Sequence, residues 1–172
     1  LDYMFISAPE NVAWLLNIRG QDNPNSPIPN CQAFVEKKKL YLISNISKTQ
    51  NLIKEKKLNL KQIIDPITFI KFLEKKKKGK ILIDNKSCSL HYENIFKKNL
   101  KVFKKEDPIY LMKAIKNKTE IQNMTNSHIY DGVALTKFIY WIKNINKKRL
   151  TEYNAQIKLE NFRKLNPNYL YP

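Results

Sequence analysis

The chain has 172 residues, 42% hydrophobic and 11% aromatic, which suits one packed domain, or one domain and part of a second, and argues against disorder. Its two cysteines, Cys31 and Cys88, form no CxxC pair, and its two histidines, His91 and His128, are too few for a histidine-based metal site. No apolar run approaches the roughly 18 residues that span a bilayer, so the expectation is a soluble, cytoplasmic protein with free thiols.

The formal charge of +17 comes from 32 basic and 15 acidic residues. Such an excess suits nucleic acid or an anionic membrane. Only Arg19, Arg149 and Arg163 are arginines, however, and proteins that read bases lean on the arginine fork. The lysines lie in short runs along the chain, such as 37–39 and 75–78, where solvated turns and helix ends are the ordinary setting. The expectation is therefore no specific nucleic acid and no membrane.

In chain order, residues 3–7 suit a buried strand, and Pro9 opens a helix carrying Val12, Ala13, Leu15 and Leu16 beside Trp14. Residues 21–30, with three prolines and three asparagines, read as a loop. Residues 32–36 and 40–44 flank a lysine-rich turn and predict a β-hairpin. A weaker helix is predicted over 49–57 and a strand over 61–65. Pro66 then starts a helix with Ile67, Ile70 and Leu73 on one face. A strand at 80–84, a helix at 87–97 and a strand at 101–104 complete an α/β domain ending near Pro108.

From Asn117 to about Lys147 the apolar positions keep helical spacing, and Asn117 with Glu120 makes a capping box. Gly132 inside that helix costs about 1 kcal/mol relative to Ala and predicts close packing. Thr151 caps a second helix running to about Leu165. Two helices without a strand between them predict the start of a new domain. The first residue is Leu1 and the last is Pro172 in a tyrosine-rich tail, and both ends read as cut from something longer.

Three stretches carry a family resemblance. DYMFIS at 2–7, AWLLNIRG at 13–20, Asp22, Pro24 and Pro27 closely resemble the middle domain of aminopeptidase P, the Xaa-Pro aminopeptidases. Lys116, Asn117, Glu120, Ile121, Met124, His128, Asp131, Gly132, Ala134, Phe138 and Trp141 are similar to the helix that opens that family's catalytic domain, with Ser127 where the family usually has alanine. LTE at 150–152 and NFR at 161–163 form a weaker third match. The resemblance implies a ribonuclease-H-like α/β domain of the creatinase/prolidase N-terminal type over 1–112, followed over 113–172 by two helices that begin a truncated pita-bread domain.

It further implies a parent enzyme that releases the first residue from Xaa-Pro peptides. The bond before proline belongs to a tertiary amide without an N–H. The family meets it with two divalent ions, usually manganese, that activate water and polarise the carbonyl. Their Asp, His and Glu ligands would all lie beyond Pro172, so this segment would bind no metal, hold no catalytic residue and be inactive alone. The family often dimerises through its catalytic part. Prolidases are an alternative within the fold. A non-catalytic relative that binds basic proteins should be acidic, which +17 opposes. A basic nucleic-acid-binding module is the alternative of another class.

Arg19, the only arginine before Arg149, is the substrate-binding candidate: a charge facing the cleft that contacts substrate or braces the catalytic domain, or else a partner of Asp22 or another acid in a structural ion pair. Asp22 itself suits the capping of loop amides. His128 and Asp131 lie three apart on one helix face, yet two ligands make no catalytic site, and packing beside the site is the expectation. Trp14 and Trp141 are expected in packing, and His91 has no partner that sequence supplies.

Overall fold

Short β-branched and aromatic runs pair edge to edge in the computed structural model, which describes residues 1–76, 78–146 and 150–170. Contacts divide the chain into one unit over Leu1–Ala114 and another from Ile115 onward. The first unit holds strands β1 Tyr3–Ile6, β2 Gln32–Glu36, β3 Lys39–Ile43, β4 Ile63–Ile64, β5 Lys80–Ile83 and β6 Lys101–Lys104. They form one mixed sheet in the order β4-β3-β2-β1-β5-β6. β1, β2 and β3 pair antiparallel, whereas β1, β5 and β6 run parallel, as do β3 and β4. The first unit's helices are α1 Pro9–Leu16, α2 Gln50–Lys54, α3 Pro66–Glu74, α4 Leu90–Asn99 and α5 Ile109–Ala114.

Alternation along each strand sorts side chains onto two faces. Phe5, Phe34, Ile43, Ile81 and Ile83 pack with Phe69 and Leu73 of α3 and Phe96 of α4. Phe5 and Phe96 meet with ring centroids 5.0 Å apart, and Phe34 and Phe69 at 5.9 Å. On the other face Ile6, Ala33 and Leu42 pack with Val12 of α1 and Ile109 of α5, with Leu52 of α2 and Trp14 partly buried against them.

The α3 face differs from expectation: Phe69 and Leu73 are buried, while Ile67 is 87% exposed and Ile70 lies at the rim. Asp65 accepts the Ile67 N–H at 3.0 Å and Pro66 sets the first turn, so the helix phase presents the larger phenylalanine ring to the sheet. Residues 60–62 form a 3₁₀ turn, leaving only Ile63 and Ile64 for β4. α2 is likewise shorter than expected, preceded by a 3₁₀ turn at Ile46–Thr49. α4 starts after Ser89 rather than at Ser87, because Ser89 supplies the cap and Ser87 bonds to Asp84.

The unexpected element is α5, which carries the first unit past Pro108 to Ala114. Asp107 starts it by accepting the Ile109 N–H at 2.9 Å.

The second unit contains α6 Lys118–Asn144 and α7 Glu152–Arg163. The capping box forms as expected, with Asn117 Oδ1 accepting from Glu120 N at 2.9 Å and Glu120 Oε2 accepting from Asn117 N at 2.8 Å. α6 ends at Asn144, before the expected Lys147, which lies outside the described residues together with Lys148, Arg149, Tyr171 and Pro172. Lys77 of the 75–78 run is outside them as well. Gly132 is not closely packed: a Cβ there would meet nothing within 4 Å.

Candidate functional site

Arg19 follows the C-terminus of α1. Asn17 caps that helix in the left-handed conformation at φ 49°, and Ile18 N donates back to Ala13 O at 3.0 Å. Arg19 is exposed, and its Nη1 donates to Ile18 O at 2.8 Å and to Ala13 O at 3.5 Å. The guanidinium thus sits just past the helix end, on the Ile18 carbonyl and at longer range on the last-turn carbonyl of Ala13, where the helix dipole favours a cation. Among the described residues no carboxylate pairs with it, so the Arg19–Asp22 ion pair considered from sequence does not form.

Asp22 instead bonds to Lys48 Nζ through Oδ1 and accepts Asn30 N through Oδ2 at 2.7 Å. Those two bonds, the one from Lys48 first, hold its carboxyl below the usual range. Gly20 N donates to Pro27 O at 2.9 Å, and a Cβ on Gly20 would stand 2.6 Å from Pro29 Cβ, so only glycine closes this turn without a shift. The proline- and asparagine-rich loop is therefore tied at both ends, with Arg19 at its mouth.

A second polar group, missed in the sequence, gathers where β1, β5 and β6 end. Buried Asn11 donates to Asp107 Oδ2 at 2.7 Å and accepts from Lys113 Nζ at 2.6 Å, fastening α1 to α5. Ser7 and Ser87 hydroxyls lie 2.8 Å apart, and Ser87 also donates to buried Asp84 at 3.1 Å. Tyr110 donates to Glu10 at 3.1 Å, and burial with the Glu10 charge pushes its hydroxyl up to about 12. A serine beside an aspartate, without a base poised between them, is a braced loop rather than a nucleophile. The available signal was Asn11 inside an apolar helix, since a buried amide requires partners.

Neither thiol is activated. Burial pushes Cys31 up to about 12 and Cys88 up to about 11. His128 Nδ1 lies 2.8 Å from Met124 O, and Asp131 takes both Nε and Nη2 of Arg163 at 2.6 and 3.4 Å. The two neighbours are engaged separately, Asp131 as a strap between α6 and α7. Trp141 packs on Phe138 and beneath the Lys158 ammonium at 5.7 Å, and His91 lies edge-on to Tyr92. A groove of about 510 Å³ in the second unit is lined by Asn123, Asn126, Asp131, Arg163 and Tyr169, whose buried hydroxyl has no hydrogen-bond partner among the described residues. Among the described residues no three His, Cys, Asp or Glu side chains come together to hold a metal ion.

Residues 1–120, which include the whole of this sheet, match the family model of the creatinase/prolidase N-terminal domain. The chain belongs to that family. It is 35% identical to Xaa-Pro aminopeptidase 1 of Dictyostelium discoideum and 31% identical to Xaa-Pro aminopeptidase ApepP of Drosophila melanogaster, each match covering 98% of this chain and 28% of the relative. The chain thus spans just over a quarter of the length of these relatives. The X-prolyl aminopeptidase of Caenorhabditis elegans, a cytosolic enzyme with a di-nuclear active site, has the same fold, with a TM-score of 0.81 at 24% identity over 99% of this chain and 29% of that one. Pyrococcus furiosus prolidase follows at a TM-score of 0.61 and 20% identity, over 96% of this chain and 45% of that one.

Proposed function

We propose that this chain is scaffold and cleft rim of a metal-dependent, cytoplasmic aminopeptidase that releases the N-terminal residue from Xaa-Pro peptides. The observation that carries the proposal is the match to Xaa-Pro aminopeptidases along 98% of the chain. In this reading residues 1–112 are the middle domain, and the helices from 113 onward belong to a pita-bread catalytic domain through which the parent dimerises. The described side chains do not suit a two-metal centre, since His128 and Asp131 are already engaged apart from each other. The two divalent ions, manganese in this proposal, are therefore held by residues outside this chain.

Arg19 is the substrate contact in this reading. Its exposure, its lack of a carboxylate partner among the described residues and its seat beside a doubly tied loop support that role. Among the described residues its bonds, to Ile18 and Ala13, engage Nη1, and Nε and Nη2 of the fork would meet a carbonyl or carboxylate of the substrate.

The test is manganese-dependent release of the first residue from an Xaa-Pro peptide, comparing the 172-residue chain with one extended through its native downstream sequence. Activity in the extended form alone is expected. Activity in neither favours a non-catalytic relative, and activity in the short chain refutes the location of the metal centre. In the extended form, Arg19→Ala should lower kcat/KM more than it lowers thermal stability; equal losses would make Arg19 a helix cap only.

A further inference from the structure

The lysine runs that lie scattered in the sequence converge in the fold. The β2–β3 turn contributes Lys37 and Lys38, the connection from α3 to β5 contributes Lys75 and Lys78, and the first residues of β5 and β6 are Lys80 and Lys101. Register places these segments at one end of the sheet: Tyr3 lies opposite Glu36 and Ile81, and Lys80 opposite Lys101. All six lysines are exposed, and among the described residues none is in an ion pair. The acids nearby are Glu36, taken by Lys76, Asp2, whose Oδ2 accepts the Lys80 amide at 2.9 Å, and Glu74.

Beside this end the sheet offers an aromatic surface. Phe103 lies on edge strand β6, two residues from Lys101 and so on its face, and is 38% exposed. The ammonium groups of Lys80 and Lys101 stand 6.0 and 5.6 Å from its ring centroid. An open aromatic ring flanked by cations on a sheet face combines base stacking with phosphate attraction, the two components of single-strand recognition.

We propose that this corner of the first unit binds single-stranded nucleic acid without sequence preference. The lysines attract the phosphates and Phe103 stacks a base. Base readout is not required, so the scarcity of arginine is no obstacle. A duplex hides the faces of its bases, so single strands fit this open ring best.

The test is fluorescence anisotropy of a labelled oligouridine with the 172-residue chain between about 50 and 200 mM salt. Replacing Lys37, Lys38, Lys80 and Lys101 by glutamine should reduce the slope of log affinity against log salt by roughly 3, at about 0.7 per phosphate contact. The same charge change at Lys54, Lys57, Lys61 and Lys105 should leave the slope near the wild-type value. Phe103→Ala should weaken binding at least about fivefold, with the circular dichroism spectrum unchanged. Equal effects of the two lysine sets would overturn the proposal, as would equal affinity for duplex, or a preference for phosphatidylserine vesicles over the oligonucleotide.

Discussion

The two units hold themselves together by different means. In the first, aromatic side chains from three strands and two helices close on one another, and Phe5, Phe34, Phe69 and Phe96 are fully buried. In the second, α6 runs for 27 residues with only Ala134 buried, while Ile121, Met124, Ile129, Val133 and Ile139 are about half exposed. A buried large apolar side chain contributes about 1.5–3 kcal/mol, whereas an exposed ion pair contributes about 0–1. The first unit is thus stabilised by its core. The second leans on its capping box, the Asp131–Arg163 strap and Lys158 over Trp141 and Phe162. Helical spacing predicts that a side chain shares a face with others, not that the face is covered.

Substitutions can break or sharpen this contrast. The largest effect is expected from Phe5→Ala, about 3–5 kcal/mol of destabilisation by denaturant unfolding, because Phe5 is 1% exposed and touches Phe69, Tyr92 and Phe96. Ile129→Ala on α6, where the side chain is 59% exposed, should cost well under 1 kcal/mol. Comparable losses would show that the second unit is covered in solution.

Asp107→Ala should cost about 2–3 kcal/mol, since it strands the buried Asn11 amide and the Ile109 N–H. Hydrogen exchange should then rise in α5 before it rises in the sheet. Unchanged exchange there would mean that α5 holds without its latch.

Glycine to alanine should have opposite signs in the two units. Gly20→Ala forces a shift of Pro29 and is expected to cost about 1–3 kcal/mol. Gly132→Ala meets open space in a helix and should stabilise by about 1 kcal/mol, read as a rise in Tm. The smallest effect concerns pH. Hydrogen bonds from Lys104 and then Lys97 hold Glu93 below the ordinary carboxylate range. Its stabilisation is present above the unfolded pKa and is lost as pH falls through the folded one. Glu93→Gln should therefore lower stability slightly at neutral pH and flatten the acid limb of the unfolding curve, and an unchanged limb would refute the role of these pairs.

Several features were legible in the residues themselves. Pro9, Pro66 and the Asn117–Glu120 box marked helix starts, because capping chemistry acts over three or four residues. The hairpin and β6 were equally plain, and the NIRG stretch pointed to the family. Tertiary structure alone decided matters that depend on distant partners. It turned Phe69 rather than Ile67 inward, and it gave Asp22 to Lys48, 26 positions away, rather than to Arg19. It also held α5 through Asn11, 96 positions from Asp107. Local pattern determines which elements form, because their hydrogen bonds and caps lie within a few residues. Pairing of charges, helix phase and the gathering of scattered lysines at one end of a sheet depend on strand register, which is set only when the whole core assembles.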